Sequence, residues 1–475
     1  MSKKFYITTT IPYVNSNPHI GHALEFVQTD VLARYYRQLG EDVFFLTGTD
    51  ENSLKNFQAA QEEKISTQEL VDRNAHVFKK LGPALNLSFD DFIRTTEKRH
   101  IQGAQKFWQA CQKDIYKKKY QGLYCIGCEM FFKESELENG LCPDHKTKPE
   151  VIKEENYFFK LSNYQKELEK LIELDQLEII PIKRKNEVLS FIKSGLEDFS
   201  ISRSAERGNG WGIEVPGDNS QRMYVWFDAL TNYITALGYG LNDLKEYRKY
   251  WPSAFHCLGK GVSRFHAIYW PAMLLSAGLE PPKKLFIHGY LTIKGKKISK
   301  SIGNVIDPFE LVEKYKTDPV RYFLLREFSS TEDGDFNIKR LEERYNSDLA
   351  NGLGNLVSRV LTLSEKVKIV SSKGLSKEIK STQEKYHQAM EEIKFNEALE
   401  SVWQLIGVCD EYIEKNKPWE LSKNNLEKFN SIINDLLATI KEIANLLKPF
   451  IPETSEKILK QIKENKKGGT LFPRL

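Results

Sequence analysis

The hydrophobic pattern of the N-terminal segment changes from strand to helix and back to strand. Phe5 to Ile11 is an apolar, threonine-rich run of strand character. Apolar residues then recur at helical spacing from Leu24 to Leu39, and a second apolar run covers Val43 to Thr47. A strand, a helix and a strand in this order predict a βαβ unit. Residues 5–47 therefore favour an α/β fold with a Rossmann-like parallel sheet.

The pattern of the C-terminal third is helical throughout. Leu349 to Val367, Tyr386 to Tyr412 and Phe429 to Leu447 are long amphipathic stretches, joined by polar linkers such as Ser371 to Ser381. Strand-like alternation is missing from this part of the sequence. The segment is therefore predicted to be an all-α helical bundle.

These patterns predict an α/β domain that is interrupted by an insertion and followed by the bundle. The length of 475 residues fits two or three domains, each with an ample core. The predicted segments are 1–115 and 224–318 for the two halves of the α/β domain, 116–223 for the insertion, 319–345 for a connecting segment and 346–475 for the bundle.

The charge balance excludes a general polyanion binder. The chain has 69 Lys and Arg residues against 65 Asp and Glu residues, a formal net charge of +4 at pH 7. A nucleic acid would therefore contact a one-sided patch, and its binding would depend strongly on salt. The longest apolar stretch, around residues 267–277, is too short to cross a bilayer, and the N-terminus runs straight into a strand. We expect a cytoplasmic protein without a signal peptide.

Four metal-binding side chains occur at close spacing inside the insertion. Cys125 and Cys128 form a CxxC pair, and Cys142 and His145 form a CxxH pair after a short spacer. Three thiolates and one imidazole make a closed tetrahedral set for structural zinc, so we predict one zinc knuckle over residues 125–145. Two unrelated thiol pairs are the alternative. The other three of the six cysteines have no such spacing and are predicted to be small buried side chains.

Two short polar motifs lie far apart in the sequence. His19, Gly21 and His22 stand where the first strand gives way to the helix, and Lys297, Ser299 and Lys300 stand in a glycine-bracketed loop. A helix start offers free N–H groups to a phosphate, and the lysines offer fixed positive charge. Alone, the first motif could be an ordinary capped helix and the second a solvated basic loop. Together, in this order, they resemble the signature of class I aminoacyl-tRNA synthetases.

Further segments resemble the methionyl-tRNA synthetase family nearly end to end. They include Thr10-Ile-Pro-Tyr-Val-Asn15, Tyr224-Val-Trp-Phe-Asp-Ala-Leu230 and Arg264-Phe-His266. The resemblance implies a methionine–tRNA ligase, which activates methionine with ATP and Mg²⁺, releases pyrophosphate and transfers the methionyl group to the 3′-terminal adenosine of tRNA(Met), including initiator tRNA. It also implies a monomer, because the appended tRNA-binding domain that often dimerises this family is missing from the sequence.

A methionine pocket needs apolar walls with aromatic edges against the thioether sulfur. The candidates for those edges are Tyr13, Trp226 and Tyr233. Ile11, Ala229, Leu230 and Val262 would fill the space between them, and by the resemblance His266 also lines the pocket. Asp50 follows a strand and is placed to bind the ammonium group. Core packing would equally explain the aromatic residues, and helix capping would explain Asp50.

The bundle of the resembling family binds the anticodon. The matching positions here are Asn355, Arg359 and Trp419. Asparagine and arginine can bond to the edges of unpaired bases, and an indole can stack on one. A surface charge at Arg359 and a core anchor at Trp419 are the alternative interpretations.

Two departures from the family pattern bear on whether the protein is catalytically active. Asn52-Ser53 stand where the family has His-Gly, and Gly261 stands where it has an aspartate that helps to hold the nucleoside. A catalytically silent RNA-binding paralogue therefore remains an alternative. A cysteine-specific synthetase would instead place its zinc ligands at the catalytic pocket, and a small nucleotidyltransferase with the same histidine motif would lack both the knuckle and the bundle.

Overall fold

The computed structural model describes residues 2–127, 129–143, 146–298 and 305–475. Its strands, in chain order, are β1 Lys4–Thr8, β2 Asp42–Thr49, β3 Asp91–Arg94, β4 Ile115–Cys125, β5 Met130–Phe132, β6 Glu150–Phe159, β7 Glu178–Ile180, β8 Phe199–Ser200, β9 Ser202–Ser204, β10 Glu214–Val215, β11 Asp218–Met223, β12 Ala254–Gly259, β13 Lys284–His288, β14 Leu291–Ile293, β15 Lys296–Lys297 and β16 Gly334–Asp335.

The α-helices are α1 Ile20–Gln38, α2 Leu54–Glu63, α3 Thr67–Lys79, α4 Leu81–Ala84, α5 Lys98–Ala110, α6 Gln165–Glu173, α7 Ile182–Lys193, α8 Val225–Leu230, α9 Asn232–Thr235, α10 Lys245–Tyr250, α11 Trp270–Ser276, α12 Pro308–Tyr315, α13 Thr317–Arg326, α14 Ile338–Arg344, α15 Asn355–Ser364, α16 Ser376–Glu391, α17 Phe395–Asn416, α18 Pro418–Asn424, α19 Leu426–Leu447 and α20 Pro452–Glu464. In the described part of the chain, none of them is long and apolar enough to span a membrane.

The chain forms two compact units. The first contains residues 1–18, 36–82 and 88–288, and the second contains residues 19–35, 83–87 and 289–475. Most of α1 therefore groups with the C-terminal segments, although the chain on both sides of it belongs to the first unit. A buried ion pair within the second unit contributes to this grouping, since Arg321 of α13 lies 2.7 Å from Asp30 of α1 and both side chains are fully buried.

The first unit is built on a six-stranded sheet with the order β3-β2-β1-β12-β13-β7. All neighbouring strands in it are parallel, so the predicted parallel α/β fold is confirmed. The strand order reverses between β1 and β12. In open parallel sheets, this is the place where the carboxyl ends of the strands leave a crevice for ligands.

The insertion has its own sheet of antiparallel strands, ordered β5-β4-β6-β8. Its longest pairing joins β4 to β6 from Ile115–Phe159 to Tyr124–Glu150. A tight turn covers residues 138–140: Glu138 pairs with Leu141, and Asn139 and Gly140 adopt positive φ angles of 53° and 76°. Such angles suit asparagine and glycine at the tip of a hairpin.

The second unit is mainly helical, and it also contains the small sheet β15-β14-β16. The prediction of one continuous amphipathic stretch from Tyr386 to Tyr412 is wrong in detail, because α16 ends at Glu391 and α17 begins at Phe395. Ile393 lies between them with a φ of 57° and a buried side chain. The apolar residues keep their spacing on both sides of this break, so periodicity could not reveal it.

Two further helix predictions have different outcomes. The stretch from Phe429 to Leu447 is confirmed and lies within α19. Only part of the stretch from Leu349 to Val367 is an α-helix, because Tyr345–Gly354 forms wider π-type turns before α15. The predicted linker from Ser371 to Ser381 is also shorter than expected, since α16 begins at Ser376.

Candidate active site

The predicted pocket residues lie near the carboxyl ends of three parallel strands in the first unit. Tyr13 follows β1, Asp50 follows β2, and His266 comes shortly after β12. Tyr13 and Asp50 are joined by a parallel bridge. Strand ends of a parallel sheet meet at one edge, and this explains why residues far apart in the sequence come together here.

Aromatic rings contact one another among the predicted pocket residues. The ring of Trp226 stacks on Phe265 with centroids 3.8 Å apart and an angle of 6°, and Tyr13 meets Trp226 edge-on at 6.3 Å. Apolar side chains surround them: Ala229 and Leu230 are buried, and Ile11 and Val262 are partly buried against the main core. The structure therefore brings the predicted aromatic and aliphatic residues into one unit with ring edges of the kind that suit a thioether.

The imidazole of His266 has a defined tautomer in its neutral form. Its Nδ1 lies 2.9 Å from the carbonyl oxygen of Val262, which can only accept, so Nδ1 carries the proton. In the neutral ring Nε2 is then an acceptor, and the Tyr233 hydroxyl donates to it at 2.7 Å. The backbone oxygen of Tyr233 in turn accepts from the hydroxyl of Tyr6 at 2.7 Å.

Two further aromatic side chains pack against the predicted pocket residues and are not among the residues predicted from the sequence. Phe265 stacks on Trp226, and His256 stacks on Tyr233 with centroids 4.1 Å apart. Burial lowers the pKa of His256 well below its usual value, and the nearby His266 lowers that pKa further. Phe265 stands inside the Arg264-Phe-His266 string, so its neighbours in the sequence pointed to a role at the site. His256 lies within a buried strand, and nothing in its sequence context distinguished it from core packing.

Three polar atoms of the pocket are buried and have no hydrogen-bond partner among the residues that the structure describes. They are the hydroxyl of Tyr13, Nε1 of Trp226 and Oδ1 of Asp50. Native proteins rarely leave such atoms unpaired without a reason. Burial raises the pKa of Asp50, and the carboxylates of Asp228 and Glu129 raise it further. A cationic ligand group would relieve this unfavourable charge.

The departure at Asn52-Ser53 is accommodated locally. Ser53 is the N-cap of α2, where its hydroxyl accepts from the backbone N–H of Asn56 at 3.2 Å. Its φ of −71° requires no glycine. The side-chain amide of Asn52 donates to the carbonyl of Thr95 at 3.2 Å. Both residues therefore support the segment that carries Asp50.

The histidine motif belongs to the second unit. The rings of His19 and His22 stack with centroids 3.8 Å apart. The backbone N–H of His19 donates to Nδ1 of His22 at 3.1 Å, and the N–H of Gly21 donates to Nδ1 of His19 at 3.0 Å. In each neutral ring the proton therefore resides on Nε2. Burial lowers the pKa of His22 well below its usual value, with a smaller contribution from His19.

Gly21 leaves space for the His19 ring beside it. A Cβ atom at this position would lie 2.9 Å from Cε1 of His19, closer than van der Waals contact permits. The absence of a side chain at Gly21 therefore leaves room for the His19 ring.

The lysine motif is only partly described. Lys296–Lys297 forms β15 and pairs antiparallel with β14 through a tight turn at Lys294 and Gly295. Ser299 and Lys300 lie outside the described residues. Within the second unit, the N–H of Ile20 donates to the carbonyl of Ile306 at 3.0 Å, so the start of α1 contacts the segment that follows the lysine motif.

The predicted zinc ligands are also only partly described. Cys125 and Cys142 are both buried and share a small cluster with Phe132. Cys128 and His145 lie outside the described residues. Within the part of the chain that the structure does describe, no group of three potential metal ligands occurs. The two thiols that are described fit a zinc site in chemistry and burial.

The predicted anticodon residues lie on the helices of the second unit. Asn355 and Arg359 are one turn apart on α15, and Trp419 on α18 has a relative exposure of 40%. Arg359 is bonded to Glu414 of α17 at 2.8 Å and lies 3.6 Å from Asp410. A base that binds this guanidinium must compete with the carboxylates of Glu414 and Asp410.

A parallel sheet with an aromatic pocket at its strand ends and an HxGH motif at a helix start together define a class I aminoacyl-tRNA synthetase. The family described as "tRNA synthetases class I (M)" matches residues 5–148 and 133–361, and the "Anticodon-binding domain of tRNA ligase" matches residues 372–472. The chain belongs to the class I (M) family of tRNA synthetases.

Relatives in several bacteria support this assignment. The "Methionine--tRNA ligase" of Brucella suis is 43% identical over 473 residues, which cover 96% of this chain and 91% of the relative. That of Thermotoga maritima is 42% identical and covers 97% of this chain and 75% of the relative. The Mycobacterium tuberculosis methionyl-tRNA synthetase in complex with methionyl-adenylate matches with a TM-score of 0.94 and 38% identity, covering 99% of this chain and all of that one (100%).

Proposed function

We propose that the protein is a methionine–tRNA ligase. The methionine carboxylate attacks the α-phosphorus of ATP, pyrophosphate leaves, and the methionyl group is then transferred to the 3′-terminal adenosine of tRNA(Met). The observation that carries this proposal is the pocket at the strand ends. It combines the edges of Tyr13 and Trp226 with a buried, incompletely bonded carboxylate at Asp50.

The substrate's two ends would be recognised by different chemistry. The thioether would pack against the aromatic wall of Tyr13, Trp226 and Phe265, whose ring edges attract sulfur. The α-ammonium group would bind Asp50, and its positive charge would restore the ionised carboxylate that burial disfavours. This arrangement leaves the substrate carboxylate as the nucleophile.

The activation step needs positioning and charge stabilisation rather than a strong base, because the carboxylate is already ionised at neutral pH. The Nε2–H groups of His19 and His22 would donate to the triphosphate. Lys297, Ser299 and Lys300 would neutralise the leaving pyrophosphate. Mg²⁺ would travel with the triphosphate and withdraw charge from it.

Zinc is proposed as a structural metal held by Cys125, Cys128, Cys142 and His145. The burial of Cys125 and Cys142 in one cluster supports this proposal. Metal analysis of the purified protein should give about one zinc per chain. Cys142→Ser should lose it, whereas Cys409→Ser, in the helical bundle, should not. A zinc-free protein with full activity would remove the knuckle from the proposal.

The tRNA would be recognised through its anticodon by Asn355, Arg359 and Trp419. The exposure of the Trp419 indole and the one-turn spacing of the other two residues support this proposal. We further propose that the protein acts in the cytoplasm as a monomer and accepts initiator tRNA. The family match to an anticodon-binding domain covers residues 372–472 and therefore includes Trp419.

The deciding experiment is ATP–pyrophosphate exchange without tRNA, using methionine, cysteine, leucine and isoleucine separately. Exchange with methionine alone is expected, because the pocket fits an unbranched thioether. The second candidate is a silent RNA-binding paralogue, which the missing carboxylate at Gly261 favours. Folded, zinc-loaded protein that shows no exchange with any of the four amino acids but still binds tRNA would establish that alternative.

A further inference from the structure

A second aspartate lies in the interior beside Asp50 and has no role in the chemistry described above. Asp228 belongs to α8, between the pocket residues Trp226 and Ala229, and its side chain is fully buried. Neither of its carboxylate oxygens has a short, well-aligned hydrogen bond in the described part of the chain, where weaker polar contacts from the His100 and Asn52 side chains reach it. A buried carboxylate in this condition is costly for folding, so its retention calls for a reason.

The nearest polar group to Asp228 is an imidazole. Nε2 of the buried His100 lies 3.6 Å from Oδ1 of Asp228, a distance too long for a hydrogen bond. The other ring nitrogen of His100 is 2.9 Å from the hydroxyl of Thr235, which fixes the ring in the core. His100 therefore holds an imidazole edge toward Asp228 without saturating the carboxylate.

The surroundings carry an excess of negative charge. Asp50, Glu129 and Asp228 are all buried, and Arg203 is the buried cation that interacts with this group. Asp228 is the neighbouring charge that acts most strongly on Asp50. The backbone N–H of Lys55 donates to Glu129 at 3.0 Å, and Asn52 also contacts Asp228. The ammonium group of Lys55 also acts on Glu129, so with a neutral His100 imidazole three acidic groups face two cations and one negative charge remains in excess.

We propose that Asp228, held beside His100, is a positioning residue that raises the affinity of the Asp50 site for the substrate's α-ammonium group. Asp228 does so through its charge and not by filling the pocket. In the empty protein the repulsion between the two carboxylates is unrelieved, and a bound cation relieves it. This inference rests on the proposed function, since it assigns a further residue to the same amino-acid site.

The test separates charge from shape with three probes: methionine, methioninol and the α-hydroxy acid analogue of methionine. Methioninol keeps the ammonium group and lacks the carboxylate. The hydroxy acid keeps the carboxylate and has a hydroxyl in place of the ammonium group. Asp228→Asn keeps the volume and removes the charge. We expect methionine and methioninol to bind about 10-fold more weakly to this variant, the size expected for one nearby charge in a partly screened interior. The hydroxy acid should bind equally well or more tightly.

Asp114→Asn is the matched control. Asp114 is also a buried aspartate of the first unit, but its carboxylate accepts from Tyr164 at 2.5 Å and from Ser276 at 2.7 Å. The control should lower the unfolding midpoint and leave the relative affinities of the three probes unchanged. Asp228→Asn should keep or raise the midpoint, because it removes a buried charge that has no short hydrogen bond.

Two results would overturn the inference. In the first, methioninol binds Asp228→Asn as tightly as it binds the natural protein. In the second, all three probes weaken by the same factor, which would reduce Asp228 to a support of the pocket's shape. A natural protein that binds neither methionine nor methioninol would be a different failure, because it would refute the proposed function itself.

Discussion

The hydroxyl of Tyr233 helps to determine both the orientation and the tautomer of His266. It donates to Nε2 of His266, while Nδ1 of the same ring donates to Val262. In its neutral form the His266 imidazole is therefore held in one tautomer and in one orientation against the edge of Trp226, 6.4 Å between ring centroids. At the residue scale, we expect the affinity for methionine to depend on this hydrogen bond as well as on apolar contact.

Tyr233→Phe should therefore weaken methionine binding. It leaves Nε2 of a buried histidine without its donor, which costs about 1–2 kcal/mol, so the KM for methionine should rise roughly 5- to 30-fold in the exchange assay. The control is Tyr116→Phe, which removes a hydroxyl that donates to Asp198 at 2.9 Å. An unchanged KM in Tyr233→Phe would exclude this hydroxyl from recognition.

The buried His256 should make stability depend on pH. Its pKa in the folded protein lies well below the unfolded value of about 6.5, mainly because of burial. Below about pH 6.5 the unfolded chain binds a proton that the folded protein does not, so the free energy of unfolding falls as the pH falls, by up to about 1.4 kcal/mol per pH unit.

Urea denaturation at a series of pH values measures this effect. The slope of stability against pH, between about pH 5 and 6.5, should be shallower in His256→Gln than in the natural protein. Because the buried Asp50 has a raised pKa and contributes with the opposite sign, the comparison of the two slopes is informative and the absolute slope is not. Identical slopes would show that His256 titrates alike in both states.

At the scale of elements, the start of α1 shows how a motif depends on its local backbone. Backbone N–H groups of His19 and Gly21 bond to the two imidazoles, and the rings stack on each other. The sequence predicted a helix start with two histidines. It could not predict that the helix backbone itself determines which ring nitrogen carries each proton.

Gly21→Ala should displace the His19 ring, since the new Cβ would lie 2.9 Å from Cε1. We expect at least a 10-fold loss in kcat/KM for ATP in the exchange assay, about 1.4 kcal/mol or more of transition-state stabilisation. The unfolding midpoint should change little, because alanine favours the helix by about 1 kcal/mol over glycine.

Gly407→Ala is the control for this substitution. Gly407 lies in α17, and a Cβ there would meet nothing within 4 Å. This variant should be slightly more stable than the natural protein and equally active. If Gly21→Ala behaved in the same way, the His19 ring would have no role in ATP binding.

At the scale of the whole molecule, activation and charging should be separable. The predicted methionine-pocket residues lie in the first unit, and the predicted anticodon residues lie in the second. The histidine motif also belongs to the second unit, but it stands at the start of α1, whereas the anticodon residues stand on α15 and α18. Trp419→Ala should therefore reduce kcat/KM for tRNA charging by roughly 10- to 100-fold, because the stacking of one base on an aromatic ring is worth about 1–3 kcal/mol. Exchange without tRNA should be unaffected.

Leu426→Ala is the control for Trp419, since Leu426 is another exposed apolar side chain of the bundle, with a relative exposure of 62%. It should leave both assays unchanged. Equal losses of exchange and charging in Trp419→Ala would contradict a role confined to the anticodon and would indicate a structural role for the indole.

The sequence by itself determined the order of the elements and the candidate chemistry. Strand and helix periodicity are local properties, and so the βαβ start and the helix at residues 429–447 were predicted correctly. Polar residues directly after apolar strands, such as Asp50, could be assigned to one sheet edge for the same reason. The two signature motifs and the cysteine spacing are also local patterns.

Only the tertiary structure decided how distant residues pair. The stack of Phe265 on Trp226, the proton positions of the histidines and the burial of Asp228 beside His100 depend on contacts across long stretches of chain. The break at Ile393 and the grouping of α1 with the second unit have the same origin. Burial and hydrogen bonding are set by neighbours in space, and a periodic pattern along the chain does not contain that information.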